Sequence, residues 1–136
     1  MKKITLFFAL FIFTLVSVQV DAQIKTPAPS PAVKVVQPVC LTDIYVKYFR
    51  PGKKDREIFG GLVPYNEMWR TGANAATKII FSADLTINGT DVKKGEYALF
   101  TKPSETSWEV YFFPYTTSSA GGYGDAEPAA KVMATP

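Results

Sequence analysis

The chain has 136 residues, 20% of them charged, and a formal net charge of +3. It contains no histidine and a single cysteine, which excludes Ser-His-Asp and Cys-His catalysis, His-ligated metal sites, an intramolecular disulfide and a thiolate zinc site. Lys and Arg are spread along the chain rather than clustered, so the charge leaves no footprint for nucleic acid.

Met1-Lys2-Lys3 opens the chain ahead of an apolar run over residues 4–20, and Val20 and Ala22 stand at −3 and −1 of a cut before Gln23. A basic start, a short apolar core and small residues before the cut predict a secretory signal peptide over residues 1–22. The run holds Thr5, Thr14, Ser17 and Gln19 and falls short of the ~20 apolar residues of a membrane span, so no stable span is expected after its removal. The expected location is periplasmic or secreted, in an oxidising compartment. Residues 23–37 carry Pro27, Pro29 and Pro31 among Ala, Ser, Val and Lys; proline at that density favours an extended, solvated linker. The domain proper is expected over residues 38–136.

From Thr42 the pattern takes period two. Ile44, Val46 and Tyr48 share one face while Asp43 and Lys47 point away, as a half-buried strand requires. Thr77, Ile79 and Phe81 repeat the pattern. Leu85-Thr86-Ile87 runs into Asn88-Gly89 and returns through Thr90-Asp91-Val92, a strong hairpin signal. Further strands are expected over residues 96–101, 108–113, with Trp108, Val110 and Phe112 on one face, and 129–133. Short strands with regularly spaced turns and no long helical period predict an all-β fold, an antiparallel β-sandwich or open barrel. Its core would be aromatic, since Phe, Tyr and Trp bury large areas. Residues 51–74 do not alternate. They predict one long irregular loop with a short helical turn, Pro64 at its first position, Trp69 near its end and Gly72 closing it.

Arg50-Pro51, Lys54, the run from Arg56 through Gly60-Gly61 to Pro64-Tyr65, and Trp69-Arg70-Thr71-Gly72-Ala73-Asn74 resemble the domain-of-unknown-function family numbered 2911, exported bacterial proteins of unassigned activity. Gly95-Glu96-Tyr97-Ala98-Leu99-Phe100, Trp108-Glu109-Val110 and Ala129-Ala130-Lys131-Val132 add to the resemblance. It implies export and a β-rich fold without implying a reaction. Members usually continue past this point with more β-type sequence, so the resemblance implies a short form or a C-terminal truncation. Cys40 stands where such proteins commonly have Gly before Leu-Thr-Asp; as a small apolar residue it is expected to be buried and inert.

The candidate site is the loop. Arg70 offers a planar donor fork for carboxylate, phosphate or sulfate, and Trp69 a ring face for a sugar or cation. Gly72 and Asn74 tolerate left-handed backbone that lets main-chain donors converge, and Lys54 and Arg56 add positive charge. The expected ligand is therefore a small anion or a sugar-like molecule, held by Arg70, Trp69, Asn74, Arg56 and Lys54, with no cofactor and no metal. Two alternatives stand beside this reading. In one, Glu57 or Glu67, the acids of the irregular segment, serves a hydrolase with Arg70 steadying developing negative charge. In the other, Trp69 anchors the loop, Arg70 pairs with Glu57 or Glu67, and the sandwich is structural.

Overall fold

The computed structural model describes residues 26–136; the expected signal peptide and the first residues of the expected linker lie outside them. The described chain is all-β. Its strands are β1 (Ala32–Val39), β2 (Thr42–Phe49), β3 (Thr77–Phe81), β4 (Leu85–Ile87), β5 (Thr90–Val92), β6 (Gly95–Pro103), β7 (Trp108–Pro114) and β8 (Ala130–Ala134). Six of them form one sheet in the order β1-β2-β3-β6-β7-β8, with β4 and β5 as a separate two-stranded layer. Every pairing between strands is antiparallel. The sheet does not close on itself.

The alternation read from the sequence sorts side chains onto the two faces. On one face Phe81, Tyr97, Phe112, Ala130 and Val132 are buried, and Leu85, Ile87 and Val92 of the β4–β5 hairpin pack onto them. Phe81, Tyr97 and Phe112 meet as tilted or edge-on rings with centroids 5.7–6.1 Å apart, pairs worth about 0.5–1.5 kcal/mol each beyond area burial. The hairpin turns on Asn88 (φ 47) and Gly89 (φ 81), the two left-handed positions of a type I′ turn. Asn88 Nδ2 then donates to Met133 O at 2.9 Å, which ties the upper layer to β8. On the opposite face Ala98, Phe100 and Phe113 are covered by the β7–β8 connection through Tyr123.

Three expectations change. Residues 32–37 fall within the expected linker, yet they open β1, which pairs with β2 from Ala32↔Phe49 to Val39↔Thr42. β1 is an edge strand, and an edge accommodates Pro38 because a missing N–H on the free side costs no ladder bond. No helical turn forms over residues 64–69; Trp69 bridges to Thr101 instead. The one helical element among the described residues is a 3₁₀ turn at Ala120–Tyr123. Cys40 is exposed because it sits at the tip of the β1–β2 hairpin beside Leu41, which is 99% exposed. Among the described residues no helix is long and apolar enough to cross a membrane.

Candidate functional site

The loop between β2 and β3 folds into a series of tight turns. Lys54 (φ 51) and Asp55 (φ 57) are both left-handed, and Arg56 N donates to Lys53 O at 3.2 Å across them. The Arg56 guanidinium reinforces that turn, with Nε 2.9 Å from Lys53 O and Nη2 2.7 Å from Gly52 O. Next, Val63 N donates to Ile58 O at 2.7 Å and Gly60 N to Val63 O at 3.0 Å. Gly61 is required here: a Cβ on it would stand 2.7 Å from Glu57 O.

Residues 66–69 then run along the free side of β6 beyond the end of β3. Asn66 N donates to Pro103 O at 2.8 Å, and Trp69 and Thr101 exchange both main-chain bonds. Trp69 shares the face of Trp108. Their ring centroids lie 6.5 Å apart, and Phe59 is edge-on to both, at 6.1 Å from Trp69 and 4.9 Å from Trp108. Trp69 is therefore held by two aromatic neighbours from separate parts of the chain.

Thr71 follows with φ 55, an outlier for a β-branched residue. Three contacts over-determine it. Its hydroxyl lies 3.3 Å from Trp69 O and 3.1 Å from Thr101 Oγ1, and Thr77 Oγ1 donates to Thr71 O at 2.8 Å. Gly72 passes so close to β2 that a Cβ would meet Phe49 O and Thr77 Oγ1 at 3.2 Å. Strain of this kind, of order 1–3 kcal/mol, persists only where the surroundings enforce it and clusters at functional sites. Here it fixes the backbone that carries Arg70.

These elements enclose a cleft of about 690 Å³ lined by Tyr48, Phe49, Trp69 and the cations Arg50, Lys53, Lys54, Arg56 and Arg70. No carboxylate lines it. Four of the five expected site residues, Lys54, Arg56, Trp69 and Arg70, are thus brought together, and Arg50 and Lys53 of the same basic run join them. Asn74 has the left-handed backbone expected of it (φ 57) but is exposed and outside the lining. Glu57 and Glu67 are exposed and outside it too. Neither pairs with Arg70: among the described residues no carboxylate comes within ion-pair distance of that guanidinium, and its Nε is buried with no hydrogen-bond partner.

Arg70 also lines a second hollow of about 490 Å³ on the other face, formed with Met68, Phe100, Tyr111, Phe113 and Tyr123. The sequence offered no signal for it beyond the Gly-rich run before Tyr123. Beside it Glu109 binds Lys131 Nζ at 2.6 Å and accepts the Tyr111 hydroxyl at 2.5 Å. The Lys131 and Tyr111 hydrogen bonds hold the Glu109 carboxyl below its ordinary value. The Tyr111 phenol is pushed up, first by burial and then by Glu109. Among the described residues no three His, Cys, Asp or Glu side chains converge on a metal position.

One family model, described as a protein of unknown function (DUF2911), matches residues 30–136. No curated protein and no solved structure matches the chain.

Proposed function

The chain belongs to the DUF2911 family, and because that family's description assigns no activity, we propose from the geometry that it is an exported, non-catalytic module that binds a small anionic, sugar-like ligand in the cleft between β2 and the long loop. The observation that carries this reading is the lining: five cations, three aromatic side chains and no carboxylate. A lining of one sign, walled by apolar rings, concentrates anions and steers them inward. Arg70 supports the reading further. A buried guanidinium nitrogen left without a partner carries an unmet desolvation cost of about 1–3 kcal/mol, which a bound carboxylate, phosphate or sulfate would offset. Trp69 supplies a ring face for the ligand body, and the Phe59 and Trp108 contacts fix its orientation before anything binds.

The hydrolase reading fits less well. Its two acids, Glu57 and Glu67, are exposed and outside the cleft, whereas a general acid or base must reach the proton it moves. Export is part of the same proposal, and its support is the signal-peptide pattern of residues 1–22.

The test is isothermal calorimetry of the purified protein against inorganic phosphate, sulfate, glucose 6-phosphate, galacturonate and uncharged glucose. The charged probes are expected to bind and glucose to bind far more weakly, with affinity falling as salt is raised. Lys54→Ala should weaken the charged probes without moving the melting temperature. Equal binding of glucose and glucose 6-phosphate, or binding indifferent to Lys54→Ala, would remove the basis for the proposal.

A further inference from the structure

The second hollow differs from the basic cleft in its chemistry. Met68, Trp69, Phe100, Tyr111, Phe113 and Tyr123 form its walls, and Arg70 is the one charged residue in the lining. Strand geometry explains the placement: Trp69 bridges Thr101, so its neighbours Met68 and Arg70 fall on the opposite face, the face of Phe100. Tyr111 and Phe113 stand nearly parallel there, 6.1 Å apart at 16°, and Phe100 and Tyr123 meet at 5.3 Å.

The tyrosine hydroxyls of this wall are already used. Tyr111 donates its hydroxyl to Glu109. Tyr123 donates to Thr117 O at 2.6 Å and accepts the N–H groups of Thr116 and Thr117 at 3.2 Å each. The tyrosines therefore present ring surface and no free hydroxyl. A sugar needs several hydrogen-bond partners and would lose its hydration without replacement here. A dianionic phosphate would bring more charge than a single guanidinium balances. What remains matched is one negative charge on an apolar body, with the carboxylate against Arg70 and the hydrocarbon against the aromatic wall.

We infer that this hollow is a binding site for an apolar monocarboxylic acid, recognised by Arg70 and the aromatic face of β6 and β7. It is separate from the basic cleft, although Trp69 and Arg70 line both, so the two sites share these residues.

The experiment uses octanoate as probe and octanol as its uncharged counterpart, followed by calorimetry. Octanoate is expected to bind at one equivalent and octanol about tenfold or more weakly, the difference being the charge-assisted contact. Arg70→Gln should bring octanoate down to the octanol level. Ala126→Trp, at an exposed position that lines the hollow, should block both probes while leaving the melting temperature and phosphate binding unchanged. Equal affinity for octanoate and octanol would overturn the inference, as would no octanoate binding at millimolar concentration. So would octanoate binding that falls with Lys54→Ala and survives Ala126→Trp, which would assign it to the basic cleft. Loss of phosphate binding with octanoate binding intact would refute the proposed function alone.

Discussion

Trp69 and Thr101 exchange both main-chain hydrogen bonds, at 2.7 and 2.9 Å, and this one bridge decides where Arg70 goes. It lets the loop continue the sheet beside β6 where β3 has ended. Trp69 joins Trp108 on one face and Arg70 is turned to the other, its Nε enclosed and without a partner. An unpaired buried nitrogen does not stabilise a fold. Arg70→Met, which keeps the length and apolar body of the stem, is expected to leave the thermal midpoint unchanged or raise it by a few degrees, given roughly 4–8 °C per kcal/mol in a domain of this size. Circular dichroism melts check this; a fall of more than about 10 °C would mean that Arg70 holds the loop together.

Cys40 has φ 53 at the first central position of a two-residue hairpin, where glycine is the usual solution of a II′ turn. Glycine adopts that geometry at no steric cost. Cys40→Gly removes a left-handed penalty of about 1–2 kcal/mol, partly offset by the freedom glycine gains in the unfolded chain. The urea midpoint is expected to rise modestly with no change in slope. The exposed thiol should also react fully with a disulfide reagent in the native protein, before any denaturant is added.

The Glu109–Lys131–Tyr111 group contributes to the pH dependence of stability at both ends of the range. The Glu109 carboxyl titrates lower in the fold than in the unfolded chain, first through its hydrogen bond with Lys131. Its contribution is complete above the unfolded value of about 4.3 and is lost as pH falls through the folded one. Lys131 is raised, mainly by the same bond, and Tyr111 is raised mainly by burial. Their contributions are complete below about pH 10 and are lost as pH rises through the folded values. In Glu109→Gln the urea midpoint should therefore vary less with pH, both between pH 5 and 3 on the carboxylate titration and above pH 10. An unchanged pair of limbs would count against this assignment.

Asn88 has two duties, a left-handed turn position (φ 47) and the bond to Met133 O. Asn88→Gly keeps the first and loses the second, while Asn88→Ala loses both. The expected order of stability is native, then Asn88→Gly, then Asn88→Ala, with the last about 1–2 kcal/mol below native. Equal effects of the two changes would show that backbone handedness is irrelevant there. Hydrogen exchange at β4 and β5 should rise in both variants, because the hairpin's tie to β8 is cut.

Most of the strands were legible because alternation is a local property. Ile44, Val46 and Tyr48, or Trp108, Val110 and Phe112, announce a buried face without reference to any partner, and Asn88-Gly89 announces its turn from backbone sterics alone. β1 was hidden because Pro27, Pro29 and Pro31 just ahead of it read as a linker, and only its position at the sheet edge makes Pro38 compatible with pairing. The turn expected from Pro64 did not form because the backbone of residues 66–69 found acceptors and donors on β6, a longer-range choice than any helix signal registers.

The sequence by itself determined the class of fold and the cationic, aromatic character of the loop, since both follow from residue type and spacing. The tertiary structure alone decided which of those charges face one cleft, that Glu57 and Glu67 stay outside it, and that Arg70 borders a second, apolar hollow. The last of these depends on one main-chain bridge between residues distant in sequence, and side-chain direction in a strand is fixed only once its pairing register is fixed.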